Sequence, residues 1–143
     1  MRTDNLQKFP IILQHGFIEK KINFPHNTEW HYQSVLAYRM VFRETNDNSP
    51  VDKKDLESYA EQKKTRRGMA TNIPEYFGVS LFKDPIMFEN NKLFPKPGRK
   101  LAKGYVCDSN GPKLDGKNSH ICWWLYDNID LSICKFEMVS GDE

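Results

Sequence analysis

A chain of 143 residues is the size of one ordinary domain, and its 21 basic and 19 acidic residues nearly cancel, leaving a net charge of +2. A domain of that length buries roughly two thirds of its unfolded surface, so a core needs neither metals nor disulfides. The near balance gives no support to nucleic-acid or membrane binding driven by net charge, and nine Phe, six Tyr and three Trp exclude a disordered chain.

Met1 to Lys8 are polar and lack the apolar core of a signal peptide. No apolar run approaches the ~20 residues that span a membrane, so a cytoplasmic location and no membrane partner are expected. Phe9-Pro10-Ile11-Ile12-Leu13 and Phe17 to Phe24, separated near Gly16, read as two short edge strands. His26-Asn27-Thr28-Glu29 reads as a turn before a long strand from Trp30 to Phe42. Inside that strand Arg39 interrupts the apolar run Val35 to Phe42. Alternation places it on one face with Val35, Ala37 and Val41, and Leu36, Tyr38, Met40 and Phe42 on the other. A guanidinium there needs a carboxylate, a set of carbonyl oxygens or an anionic ligand opposite it.

Thr45 to Pro50 is a loop by composition, and Ser49-Pro50 predicts a helix start with Leu56, Tyr59 and Ala60 as its core stripe and Gly68 as its stop. Asp52 and Asp55 sit near its positive end and Lys63 and Lys64 near its negative end. The run Lys63-Lys64-Thr65-Arg66-Arg67 holds more cations than the dipole needs, which makes Lys63, Lys64, Arg66 and Arg67 candidates for an anionic partner. Tyr76 to Phe82 reads as a strand, Asp84-Pro85 as a helix start, Pro95 to Gly98 as its break, and Leu101 to Cys107 as a strand. After the loop Asp108 to Ser119, His120 to Tyr126 and Leu131 to Val139 read as two strands joined at Asp127-Asn128. Segregated strands with few helices predict one α+β domain over residues 1–143: a curved, mostly antiparallel sheet of five or six strands with two short helices packed on it.

Cys107, Cys122 and Cys134 lack metal or redox spacing and read as buried structural thiols. His26, Glu29 and His31 do not match a known metal spacing, so no metal is expected. His120, opening an apolar strand after a loop, is a candidate acid or base. Trp123 and Trp124 point to opposite faces, and Trp124 is the candidate for a surface platform that contacts a partner. The chain has no serine-hydrolase elbow, no phosphate-binding P-loop and no dinucleotide glycine fingerprint.

From Arg39 onward, one order of residues stands out: a strand carrying Arg39, a strand Gly78-Val79-Ser80-Leu81-Phe82 running into a helix at Asp84-Pro85, and a late strand carrying Glu137. This order resembles the arginine, serine and glutamate motifs of ADP-ribosyltransferases and related small NAD-consuming domains. The family's Ser-Thr-Ser triplet is absent around Ser80, and Lys135 stands two residues before Glu137. The resemblance implies that Arg39 and Ser80 hold NAD and that Glu137 is catalytic. The leading expectation from the sequence is a small intracellular binding or interaction protein, an accessory, inhibitor or immunity-type factor acting through aromatic and basic surface groups, with a protein partner and no cofactor; the NAD-consuming enzyme is the alternative. Nucleic-acid processing through the basic run is a third and weaker reading.

Overall fold

The computed structural model describes residues 7–19, 22–44, 46–63 and 70–139. Its centre is a six-stranded antiparallel sheet, open at both edges, in the order β4-β5-β2-β1-β3-β6. The strands are β1 Val35–Phe42, β2 Val79–Phe82, β3 Arg99–Val106, β4 Lys113–Asp115, β5 His120–Trp123 and β6 Glu137–Met138. Among the described residues four short helices accompany them: α1 Ile11–Glu19, α2 Tyr59–Gln62, α3 Ile86–Asn90 and α4 Leu131–Cys134. The α+β class and the antiparallel sheet are therefore as the sequence predicts.

Each face of the sheet carries a buried cluster. Ala37, Val79, Leu81, Ile121 and Trp123 point to one side, where Leu56, Val106 and Cys134 complete a buried cluster. On the other side Cys122 and Trp124 meet Phe9, Leu13, Phe17, Ala60, Tyr76 and Phe77. Burying a large aromatic or aliphatic side chain is worth about 1.5–3 kcal/mol, so two such layers supply the main driving force of folding. Aromatic edges reinforce the second layer, with Phe24 against Trp30 and Trp124 at ring separations of 5.0 and 5.1 Å.

Where two edge strands were expected, Ile11–Glu19 forms one helix, α1, and Ile22 to Phe24 join no strand. Phe9, Leu13, Gly16 and Phe17 are buried at helical spacing, and the Pro10 carbonyl accepts from the amides of Leu13 and Gln14, closing the first turn. A Cβ at Gly16 would stand 3.0 Å from both Ile22 and Phe77, so the glycine that looked like a strand stop is where the helix packs closest. The predicted strand Leu131 to Val139 is likewise split into α4 and β6. Asp130 caps α4 by accepting from Ser132, and Lys135 ends it in the left-handed region. Tyr76 and Phe77 belong to a 3-10 turn, Pro74–Phe77, that precedes β2.

The helix expected after Ser49 breaks into a 3-10 turn, Lys53–Leu56, and α2. Each carries a capping box, Asp52 with Asp55 and Ser58 with Glu61. Two caps in succession explain the interruption, because a cap residue holds extended backbone and ends the turn before it. Lys63 ends α2 with φ 56°, and Lys64, Arg66 and Arg67 lie outside the described residues.

Candidate functional site

The long β1–β3 ladder pairs every residue from Val35 to Phe42. The seam between β1 and β2 is different: its register is held by Tyr38 opposite Phe82 alone. Towards the end of β1 the two strands part, and Arg39 occupies the gap. Its NH1 donates to the Ser80 carbonyl at 2.8 Å, its NH2 to the Glu57 carbonyl at 3.1 Å and its Nε to the Asp55 carbonyl at 3.2 Å. Arg39 thus takes the place of absent ladder hydrogen bonds between the two central strands. Of the three partners that the sequence left open for this arginine, the fold supplies carbonyl oxygens.

The Asp55–Glu57 segment is held against β1 from a second point. Arg43 grips the Asp55 carboxylate with both guanidinium ends, at 2.6 and 2.5 Å. That carboxylate also accepts from the Asp52 amide as part of its capping box. Arg43 therefore consumes the nearest carboxylate, and among the described residues none forms an ion pair with Arg39. Burial lowers the Arg39 pKa to about 10, partly offset by the nearby Tyr59 and Asp55, so the group stays charged at neutral pH while its direct hydrogen bonds go to carbonyl oxygens.

A cavity of about 480 Å³ opens over the seam, and Arg39, Ser80 and His120 all line it. The register explains why they meet. On β2, Val79 and Leu81 turn into the core, so Ser80 and Phe82 face the cavity. On β5, Ile121 and Trp123 turn into the core, so His120 and Cys122 face it. Ser80 lies opposite Cys122 and Phe82 opposite His120, which makes Ser80 and His120 diagonal neighbours. Ser80 Oγ and His120 Nε2 are 2.7 Å apart. When Nε2 is unprotonated the serine hydroxyl donates to it, and the imidazole then serves as a base. Phe82 packs edge-on against His120 and Phe88, at 5.3 and 5.1 Å between ring centroids. Tyr59, Phe42 and Met40 supply further apolar lining.

The remaining sequence candidates lie elsewhere. Glu137 is on the edge strand β6, beyond β3, with its side chain 69% exposed and 3.9 Å from Lys103. It does not line the cavity, so Arg39 and Ser80 share it with His120 and not with Glu137. Trp124 is not a surface platform. It is fully buried in the second core layer and donates its indole N–H to the Pro74 carbonyl at 2.8 Å, because α1 and the aromatic segment after it cover the face that was expected to be wet. Lys63 is exposed at the end of α2 and does not line the cavity.

Glu29 pairs with buried Lys113 at 2.5 Å, and among the described residues no group of three or more His, Cys, Asp or Glu side chains is arranged to hold a metal ion. All three cysteines are free and buried, with burial pushing the Cys122 thiol well above its ordinary pKa. No helix of the described residues is long and apolar enough to cross a membrane.

Sequence reasoning missed Glu57, Glu75, Tyr59 and Gln62 as cavity residues. Pro74, a turn-start signal just ahead of Glu75, was the available clue that this segment is not strand. Comparisons with protein-family models, with curated proteins and with solved structures find no match.

Proposed function

We propose that this chain is an NAD-consuming domain of the ADP-ribosyltransferase type, with its site at the parted seam of β1 and β2. The observation that carries the reading is the convergence of Arg39, Ser80 and His120 on one cavity. A guanidinium has five N–H donors, and three are engaged by carbonyls, which leaves two for a ligand. A buried cation with spare donors that, among the described residues, forms no ion pair suits a diphosphate. The aromatic lining suits a flat heteroaromatic base. Nicotinamide dinucleotide combines these features, and the order of Arg39 and Ser80 is the one the family resemblance implies.

In the reaction, the glycosidic bond between the ribose anomeric carbon and the pyridinium nitrogen breaks. The bonding pair leaves with nicotinamide, which becomes neutral. A nucleophile's lone pair then forms the new bond to the anomeric carbon. Ser80 holds a ribose hydroxyl, and His120 takes the proton that the nucleophile loses.

The test is purified protein incubated with NAD, followed by calorimetry for binding and chromatography for free nicotinamide. Binding that disappears in Arg39→Met, with nicotinamide release that falls in His120→Ala, is the expected result. A folded protein that neither binds NAD nor releases nicotinamide refutes the reading. A second reading, a module that binds a protein partner, draws on the exposed outer face of β1 and β3, where Leu36 is paired with Tyr105 and Phe42 is 58% exposed.

A further inference from the structure

Away from the cavity, and independent of what it binds, we infer that Cys107 and Cys134 form a redox modification site: hydrogen peroxide converts the two thiols into a disulfide that clamps α4 and β6 to the end of β3. The two residues are far apart in the chain, and the fold brings them together. Cys107 follows the last residue of β3, and Cys134 is the last residue of α4. Both belong to the buried cluster on one side of the sheet, whereas Cys122 belongs to the cluster on the other, so the sheet itself separates the third cysteine from this pair.

A single amide holds the two sulfurs side by side. Asn110 is buried, and its Nδ2 donates to the Cys134 sulfur at 3.0 Å and to the Cys107 sulfur at 3.4 Å. The same side chain is pinned to the turn before α4: Nδ2 also donates to the Asp130 carbonyl at 3.1 Å, and Oδ1 accepts from the Asp130 amide at 3.0 Å. The surroundings give the sulfurs unequal roles. The Cys107 sulfur accepts from Asn110 and from the Ser109 hydroxyl at 3.7 Å, and both contacts favour a thiolate. The Cys134 thiol donates to the Asp130 carbonyl at 3.7 Å, which keeps its proton in place. Cys134 is the largest influence holding the Cys107 thiol below its ordinary pKa, and the same contact, with burial, pushes the Cys134 thiol up. Cys107 is therefore the attacking sulfur and Cys134 the resolving one. Ser109 is exposed, so the hydroxyl that touches the Cys107 sulfur also marks the way in for a small oxidant.

The Cys107 thiolate attacks one peroxide oxygen and the O–O bond breaks. The departing hydroxide takes up the proton that Cys107 lost and leaves as water, and Cys107 becomes a sulfenic acid. The Cys134 sulfur then attacks the Cys107 sulfur, the S–O bond breaks, and the hydroxide leaves as a second water with the Cys134 proton. The two thiols together lose two electrons, and the peroxide gains them. The bridge closes a loop that contains β4 and β5. It also fastens the segment after Asp130, whose own elements are short, four residues in α4 and two in β6.

The experiment treats the reduced, folded full chain with a small excess of hydrogen peroxide and reads intact mass, a peptide map and a thermal melt. The expected product is about 2 Da lighter, joins Cys107 to Cys134 with Cys122 still free, regains its mass in dithiothreitol and melts on the order of 10 °C higher. Cys122→Ala should form the same bridge. Cys134→Ala should stop at a sulfenic acid on Cys107 that dimedone traps, and Cys107→Ala should leave Cys134 unmodified. The wild-type result decides even where a variant fails to fold. Three thiols left free, a bridge that involves Cys122, a bridge that forms only in urea, or a gain of about 32 Da at Cys107 with no bridge overturns the site. A bridged protein that melts no higher than the reduced one overturns the clamp.

Discussion

Replacing Arg39 with methionine tests the central feature of the fold and of the site together. The guanidinium makes three charge-assisted hydrogen bonds to carbonyls at the parted seam. Such bonds are worth about 1.5–3 kcal/mol each, so their complete loss would cost roughly 4–9 kcal/mol. Two effects reduce that figure. The cation itself is held at a cost: burial lowers its pKa to about 10, which corresponds to about 3 kcal/mol recovered when the charge is removed. Arg39 also faces the cavity, so water reaches part of the gap that it leaves. The expected net destabilisation is about 3 kcal/mol, a fall in Tm on the order of 10 °C for a chain of this size.

Circular dichroism melts and urea titration measure that loss, and NAD calorimetry on the same sample, well below the melt, measures binding. The variant should fold and should not bind. Lysine at position 39 should keep the charge and recover less than half of the stability, because an ammonium cannot reach three carbonyls set around a planar fork. A Tm for Arg39→Met within about 2 °C of wild type would refute the argument that this side chain stitches β1 to β2. Unchanged affinity for NAD would refute its role as the phosphate anchor.

Gly78→Ala places a methyl group against the Cys122 sulfur beneath the cavity, and a Trp124 indole atom would lie 3.2 Å away, so a loss of about 1–3 kcal/mol is expected. Combining it with Cys122→Ala should recover most of that loss in a double-mutant cycle measured by urea unfolding, and strict additivity would sink the explanation. Lys113→Met removes a side chain only 3% exposed that pairs with the half-exposed carboxylates of Glu29 and Asp115, and a loss of about 1–2 kcal/mol is expected because solvent screens those partners. Burial alone would raise the Asp115 pKa, but Lys113 outweighs it and holds the carboxyl below its ordinary value, while burial opposes and the two carboxylates together raise Lys113 above its own. A depressed acid contributes stability above its unfolded pKa and loses it as the pH falls. The gap between wild type and Lys113→Met should therefore be level across neutral pH and narrow below about pH 4, and a gap that widens in acid contradicts the pairing.

Local pattern determined much of this protein. Alternation in Val35–Phe42 gave β1 and the odd position of Arg39, and apolar runs gave β2, β3 and β5. Asp84-Pro85 marked the start of α3, where the Asp84 carboxylate accepts from the Ile86 amide at 3.0 Å. These signals survive because each depends on neighbours a few residues away. Where helix and strand periods could both be read into a short apolar stretch, packing decided. Ile11 to Glu19 became helix because Phe77 and Trp124, far along the chain, cover a face with helical spacing. Leu131 to Cys134 became helix because Asp130 caps it.

The site shows the same division. Arg39 and His120 stood out by type and position in a strand, and Ser80 through the family resemblance, yet nothing local brings them together. Strand order places β2 between β1 and β5, the β2–β5 register sets His120 diagonal to Ser80, and the parting of β1 from β2 opens the space that Arg39 fills. Glu137 and Trp124 failed as candidates for a reason of the same kind. Whether a strand residue faces a cavity, a core or water depends on what packs on each side of the sheet, and for these residues α1 and the edge position of β6 are decided by contacts that span most of the chain.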